Sequence, residues 1–347
     1  MARKASKKYP EIRVYHGYGN GTRMVVFGHV LRRTARPRNR YTPNYWHNTL
    51  DMLRLFMVMP VETTTVRLTW QNQVLETSTE KDGFFRFEWE TEVKVEPGWH
   101  SVHIATVEGH QVRANETTGR VFVPGTTQFG FISDIDDTVM ISHSARVGRR
   151  LKEILTRHPQ SRRHFPEVCR HYQMLAISHT RANTPNPFFY VSSSEWNLFG
   201  YLSEFFSFNG FPEGIFLLNQ LKQWHQIFRT GKTNHMGKLY RVQSVLEAFP
   251  AHRFVLMGDN SQADPTIYQA VVDKYPAQVV AVYIRNVRKK REVETRIQLS
   301  KMATAGVEIC LYSHSEEAIA HSRSIGLIDA HAEEAVSRMP YFGDGFP

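Results

Sequence analysis

The amino-acid sequence predicts an α/β protein in two parts: a small β-sandwich, then a parallel sheet covered by helices on both faces. Three observations carry this expectation. Apolar and polar residues alternate at every second position through much of the first third. Beyond Pro124 and Gly125, short continuously apolar runs alternate with helical patterns instead. A cluster of three carboxylates then follows directly on the first of those runs, in FISDIDDTV (131–139). Alternation marks strands with one face in a core, whereas unbroken apolar runs mark strands buried on both faces.

In the first part, residues 22–31 read as a strand, and TTTVRLTWQNQVLETS (63–78) alternates over much of its length. A turn at Lys81, Asp82 and Gly83 leads into FFRFEWETEVKV, and Pro97-Gly98 makes the turn before WHSVHIATV. A last strand, VFVP, ends near Pro124. Hairpin-linked alternating strands of this kind build a sandwich. One stretch differs: residues 44–60 fit an amphipathic helix that Pro60 would end.

In the second part, strands are expected at 129–134, 187–192, 253–259, 278–285 and 307–312. Helical patterns fall at about 195–208, 236–248, 263–275 and 327–338. This is a Rossmannoid alternation, and its ligands belong beyond the carboxyl ends of the strands. The domain expectation is a basic flexible tail at 1–10, a β-sandwich with one helical insertion at 11–126, and a catalytic domain at 127–347. Glycine-rich dinucleotide and GxxxxGK[ST] loops are absent, which argues against NAD or nucleoside-triphosphate chemistry.

Of the 347 residues, 41% are hydrophobic and 22% charged, values of a globular chain rather than a disordered one. The formal net charge of +10 points to an anionic partner: a phosphorylated substrate, an anionic membrane surface or nucleic acid. Only Cys169 and Cys310 occur, without metal-ligand spacing, so both are expected as buried small hydrophobes in a disulfide-independent, cytoplasmic chain. The first residues are basic but lack the apolar stretch of a secretory signal, and no run is long enough to span a bilayer. Any membrane contact is therefore expected to be peripheral, at the inner surface.

Four features coincide with strand ends or helix starts. Asp134, Asp136 and Asp137 follow the first apolar strand. Such a cluster repels itself unless a cation sits among it, and an all-oxygen ligand set suits magnesium. Ser192 ends the strand FFYV, where a hydroxyl can hold a phosphoryl oxygen without adding charge. Lys238 opens a helix and can neutralise both a carboxylate and a phosphate. Asp259 and Asp264, in GDNSQAD (258–264), can complete a metal shell. Each feature alone is weak: taken singly, Lys238 reads as a surface lysine and Ser192 as a loop serine.

Together, the segments SDIDDTV (133–139), PFFYVSSSEWNL (187–198), GFPEG (210–214), HMGKLYRVQSVLEAFP (235–250) and RFVLMGDNSQADPTIY (253–268) resemble the App1-type phosphatidate phosphatase catalytic domain family, within the haloacid-dehalogenase-like phosphohydrolases. The resemblance covers about 128–315. It implies Asp134 as nucleophile, Asp136 as acid/base, Ser192 as phosphate ligand, Lys238 as the motif lysine, and Asp259 with Asp264 as the acidic pair of the last motif. Two positions depart from the family pattern: Glu195 stands where proline is usual, and the usual adjacent His-Lys pair is split between His235 and Lys238.

The implied chemistry is hydrolysis of a phosphomonoester. Asp134 attacks phosphorus to give an aspartyl-phosphate, and Asp136 protonates the leaving oxygen and then activates water. Mg2+ is expected among Asp134, Asp136, Asp259 and Asp264, while Lys238 and Ser192 hold phosphoryl oxygens. The resemblance points to phosphatidate as substrate. A basic segment at 141–170, with eight arginines and lysines against two glutamates (net +6), would favour an anionic head group or a solvated helix face. Two alternatives stay open: a soluble metabolite phosphatase, and a non-enzymatic module binding anionic lipid or nucleic acid. The intact carboxylates disfavour the second, and nucleic acid in particular.

Overall fold

A computed structural model describes residues 10–33, 55–108, 111–112, 116–125, 129–139, 165, 167–180, 184–221 and 234–339. The contacts divide the chain into two compact units, with one break between Val123 and Pro124.

The first unit is a mixed sheet of ten strands. Its strands are β1 (Glu11–Val14), β2 (Gly17–Gly19), β3 (Arg23–Arg33), β4 (Met59–Pro60), β5 (Thr65–Trp70), β6 (Gln73–Ser78), β7 (Phe84–Glu90), β8 (Gly98–Glu108), β9 (Gln111–Val112) and β10 (Thr117–Val123). The backbone order is β1-β3-β2-β10-β8-β5-β6, with β4 and β7 added on β3 and β9 on β8. The alternation read in the sequence is the burial pattern of these strands. On β7, Phe85, Phe87 and Trp89 are buried while Arg86, Glu88 and Glu90 are exposed. They share one core with Val66, Leu68 and Trp70 of β5, Val102 and Ile104 of β8, and Met24, Val26 and Val30 of β3. A core filled from inward faces in this way is consistent with a sandwich arrangement.

The run 63–78 is a hairpin that turns at Gln71, whose φ is 48°. The expected helix over 44–60 falls mainly outside the described residues, and its described end is extended at Met59–Pro60, paired with β3. The expected tail also lies outside the described residues, apart from Pro10.

The second unit holds six parallel strands: β11 (Phe129–Ser133), β12 (Phe188–Glu195), β13 (Ile215–Asn219), β14 (Arg253–Asp259), β15 (Val279–Arg285) and β16 (Glu308–Tyr312). Its described helices are α1 (Val168–Ile177), α2 (Phe199–Phe208), α3 (Asn234–Ala248), α4 (Asp264–Lys274), α5 (Glu292–Thr304), α6 (Ser315–Ser324) and α7 (Ala330–Ser337). Both faces of the sheet are covered, so β11, β12, β14 and β15 are buried along nearly their whole length. The five strands expected from the apolar runs are all present. The structure adds β13 and the helices α1, α5 and α6.

The strand order is β13-β12-β11-β14-β15-β16. The chain therefore winds outward in one direction from β11 to β13, then returns to the middle and winds outward the other way from β14. By the rule for such sheets, the ligand crevice belongs outside the carboxyl ends of β11 and β14, where the direction reverses. Both cysteines are buried and free. No helix among the described residues is long and apolar enough to cross a membrane.

Candidate active site

The crevice is where the carboxylates gather. Asp134 follows β11 directly, and its backbone N–H donates to the Met257 carbonyl at 2.8 Å, which locks it to β14. Asp259 is the last residue of β14, and Asp264 the first of α4. Pro265 supports that helix start, since its missing N–H needs no partner there. Carboxylate oxygens of Asp134, Asp259 and Asp264 lie within 4.8 Å of one another, and all three residues are buried.

Lys238, in the first turns of α3, brings the cation. Its Nζ donates to Asp134 Oδ1 at 2.6 Å and also to Asp264 Oδ1. Thr138 Oγ1 lies 3.5 Å from Asp134 Oδ2 and 3.4 Å from Asp259 Oδ2, between the oxygens that Lys238 leaves free. Taken alone Lys238 would pass for a surface lysine, but the fold buries it beside the carboxylates. Its helix starts beside the cluster, and the fifth residue along points its ammonium inward, where the side chain is 3% exposed.

Asp136 is held differently. Both Ser192 Oγ, at 3.3 Å, and Ser194 Oγ, at 3.2 Å, donate to its Oδ2. The Ser192 oxygen also accepts from the Ser194 backbone N–H at 2.9 Å. Asp136 thus stands apart from the three clustered acids, and the Ser192 hydroxyl proton is directed at Asp136. Asp137 sits at φ 59°, a left-handed conformation that is costly for a residue with a Cβ, and Ser261 Oγ donates to its carboxylate at 3.2 Å.

The electrostatics follow from burial. Desolvation pushes the Asp134 pKa well up; Lys238 opposes the rise, while Asp264, Asp259 and Asp136 add to it. Asp259 is pushed up to about 7, again first by burial and then by Asp264. Burial alone would lower Lys238, but Asp134 and Asp264 outweigh it and hold its pKa above the ordinary lysine value. One lysine among three clustered carboxylates leaves an excess of negative charge, and an oxygen-only donor set of this kind suits a hard divalent cation. The residues therefore fit a cation at Asp134, Asp259 and Asp264, a fit not specific to magnesium.

Sequence reasoning missed Ser194, the second hydroxyl on Asp136, and Asn260. The Asn260 side chain ties the last motif to the loop after β15 by bonding Asn286 Oδ1 at 2.7 Å and the Arg288 backbone N–H at 2.8 Å. A triple serine gives no signal as to which hydroxyl turns inward. Glu195 is half-buried at the end of β12, opposite Asn219 in the ladder. The side chain of His235 and most of the basic segment 141–170 lie outside the described residues.

The fold and site define an α/β domain with a carboxylate–lysine cluster at the point where its sheet reverses direction. Comparison with known proteins gives the cluster a family context. Residues 129–286 match the family described as phosphatidate phosphatase APP1, catalytic domain, which supports an APP1-type catalytic domain over this segment. The chain is 31% identical over 182 residues to phosphatidate phosphatase APP1 of Saccharomyces cerevisiae, covering 52% of this chain and 29% of the yeast protein. It is 26% identical over 158 residues to an uncharacterised protein of Schizosaccharomyces pombe, covering 45% of this chain and 25% of that protein. The chain thus spans under a third of the length of either relative. Among solved structures, a carbohydrate acetylesterase from Xanthomonas citri aligns over 91% of this chain and 75% of its own, with a TM-score of 0.36 and 8% identity. A β-glucuronidase from Parabacteroides merdae gives a TM-score of 0.24 at 7% identity, over 87% of this chain and 38% of its own. Superpositions this loose do not define a shared fold.

Proposed function

We propose that the chain is a magnesium-dependent phosphomonoester hydrolase of the haloacid-dehalogenase-like type, acting through phosphorylation of Asp134, with phosphatidate as the first candidate substrate. The observation that carries the reading is the Lys238 ammonium shared by Asp134 and Asp264 beside Asp259, at the carboxyl ends of two adjacent strands. The APP1-type match over 129–286 supports the phosphatase class. In this reading residues 127–347 form the catalytic domain and 11–126 a separate sandwich.

Asp134 supplies the nucleophile. One of its oxygens bonds to phosphorus in line as the bond to the leaving oxygen breaks. Lys238 opposes the burial that favours neutral Asp134 and draws a phosphoryl oxygen toward the same ammonium. Asp136, oriented by Ser192 and Ser194, gives its proton to the leaving oxygen. It then takes a proton from the water that attacks the phosphorylated Asp134, which releases inorganic phosphate and restores the carboxylate. Magnesium held by Asp134, Asp259 and Asp264 would offset the repulsion between carboxylate and phosphate.

Phosphatidate follows from the name of the yeast relative and from the +10 charge, which favours an anionic bilayer. The test is phosphate release with magnesium or with EDTA, from phosphatidate vesicles and from soluble phosphomonoesters in parallel. Release from phosphatidate that EDTA abolishes supports the reading. Release only from a soluble ester makes the chain a soluble metabolite phosphatase, and none from any ester, with magnesium present, contradicts phosphohydrolase activity.

A further inference from the structure

Arg241 follows Lys238 by three residues on α3 and so lies on nearly the same helix face. Its guanidinium spans the two elements that flank the cluster. Nη2 donates to the Ser192 carbonyl oxygen at 3.2 Å, at the end of β12. Nη1 lies over Gly237, where an added Cβ would come within 3.4 Å of it. Ser192 is the residue whose hydroxyl reaches Asp136, and Gly237 adjoins Lys238. Arg241 therefore contacts the strand end that carries Ser192 and the turn of α3 that carries Lys238.

The pairing of this cation is incomplete. Among the described residues, Arg241 Nε is buried without a hydrogen-bond partner, and no carboxylate forms an ion pair with the guanidinium. Burial alone pushes its pKa down to about 10, with no acid opposing the shift. An arginine stays charged at neutral pH even so, and a half-buried charge without a counter-ion is costly. A neutral donor would satisfy the Ser192 carbonyl at less cost, so the bond to that carbonyl does not account for the positive charge. A bound anion would.

We infer that Arg241 is a phosphate-binding side chain that takes a non-bridging oxygen of the substrate phosphoryl group, with Lys238 on the same group. The inference rests on the phosphohydrolase reading above. A planar guanidinium matches two phosphoryl oxygens as an ammonium cannot. It also supplies the direct phosphate contact expected of Ser192, whose hydroxyl proton is turned toward Asp136.

The test compares wild type, Arg241→Gln and Arg241→Lys. Glutamine keeps a neutral donor for the Ser192 carbonyl and removes the charge, whereas lysine keeps the charge. The readouts are kcat and KM for p-nitrophenyl phosphate and the affinity for inorganic phosphate by calorimetry, with thermal unfolding as the control for folding. Arg241→Gln should raise KM and weaken phosphate binding by about tenfold or more, the order of one lost charge-assisted contact. Arg241→Lys should recover part of both. Unchanged phosphate affinity in folded Arg241→Gln, a loss confined to kcat, or an equal loss in the glutamine and lysine variants would overturn the inference. Absence of phosphate release by wild type would instead count against the phosphohydrolase reading. Calorimetry with inorganic phosphate still decides Arg241 in that case: weaker binding by the glutamine variant supports it, while equal binding, or none by wild type, overturns it.

Discussion

Lys238 Nζ lies 2.6 Å from Asp134 Oδ1, and the two side chains are only 3% and 2% exposed. Neither group would keep its charge at that depth alone, because an isolated buried ion neutralises itself. In the proposed mechanism this pair sets where a phosphoryl group would face a nucleophile and a cation together.

Removing the cation while keeping the side-chain volume should be severe. Lys238→Met should cut turnover by about 10²-fold or more, the order seen when one preorganised donor to a transition state is lost. Steady-state phosphate release checks this, with calorimetry to show whether the metal still binds. An unchanged rate would show that Lys238 only balances the charge of the resting site.

The two hydroxyls on Asp136 should act on kcat rather than on binding. Ser194→Ala and Ser192→Ala each remove one donor to the same carboxylate oxygen. Each should lower kcat by on the order of tenfold, about the worth of one hydrogen bond that orients the acid, and leave KM nearly unchanged. A rise in KM for Ser192→Ala with kcat kept would make Ser192 a direct phosphate ligand instead.

Gly258 is required by the position of Asp264. A Cβ at Gly258 would lie 2.5 Å from Asp264 Oδ2 and 2.9 Å from the Tyr268 ring. Gly258→Ala should therefore displace Asp264 from Lys238, destabilise the fold by about 1–3 kcal/mol through overpacking, and lower turnover. Urea unfolding and phosphate release measure the two effects, and an unaltered variant would mean that the Asp264 side chain moves aside freely.

His171 should give acid sensitivity to the fold. It is 1% exposed, and its Nε2 lies 2.8 Å from Ser322 Oγ. Burial, with Arg285, Arg323 and His321 nearby, lowers its pKa to about 3 from the ordinary 6.5. The unfolded chain thus takes up a proton near pH 6.5 that the folded chain refuses, so stability is kept above that pH and falls below it. Between pH 7 and 5 the loss from this residue should be roughly 2 kcal/mol. Urea titrations at both values should show His171→Gln losing less than wild type by about that amount. Equal losses would mean that His171 is protonated in the fold.

Much of this site could be read from the sequence because its groups stand at strand ends. Asp134 and Asp259 close unbroken apolar runs, and such runs locate the carboxyl edge of a parallel sheet without any knowledge of tertiary contacts. The strand β13 was hidden because IFLLN is only five residues long and follows GFPEG, which reads as a turn. Side-chain aim was the other gap. That Ser194 as well as Ser192 turns to Asp136, and that Arg241 reaches back to Ser192, depends on how β12 and α3 pack and has no counterpart in residue spacing. The register shift between Val191 and Glu195 belongs with this, since it re-aims the serines within one strand.

The most direct measurement is phosphate release by Asp134→Asn, with magnesium, from an ester that the wild type hydrolyses, and with thermal unfolding to confirm the fold. A carboxamide cannot form the acyl phosphate, so turnover should fall by at least about 10³-fold, in line with the loss of a nucleophile elsewhere. A folded Asp134→Asn protein that turns over within a few-fold of wild type would contradict the account, because the nucleophile would then be another group.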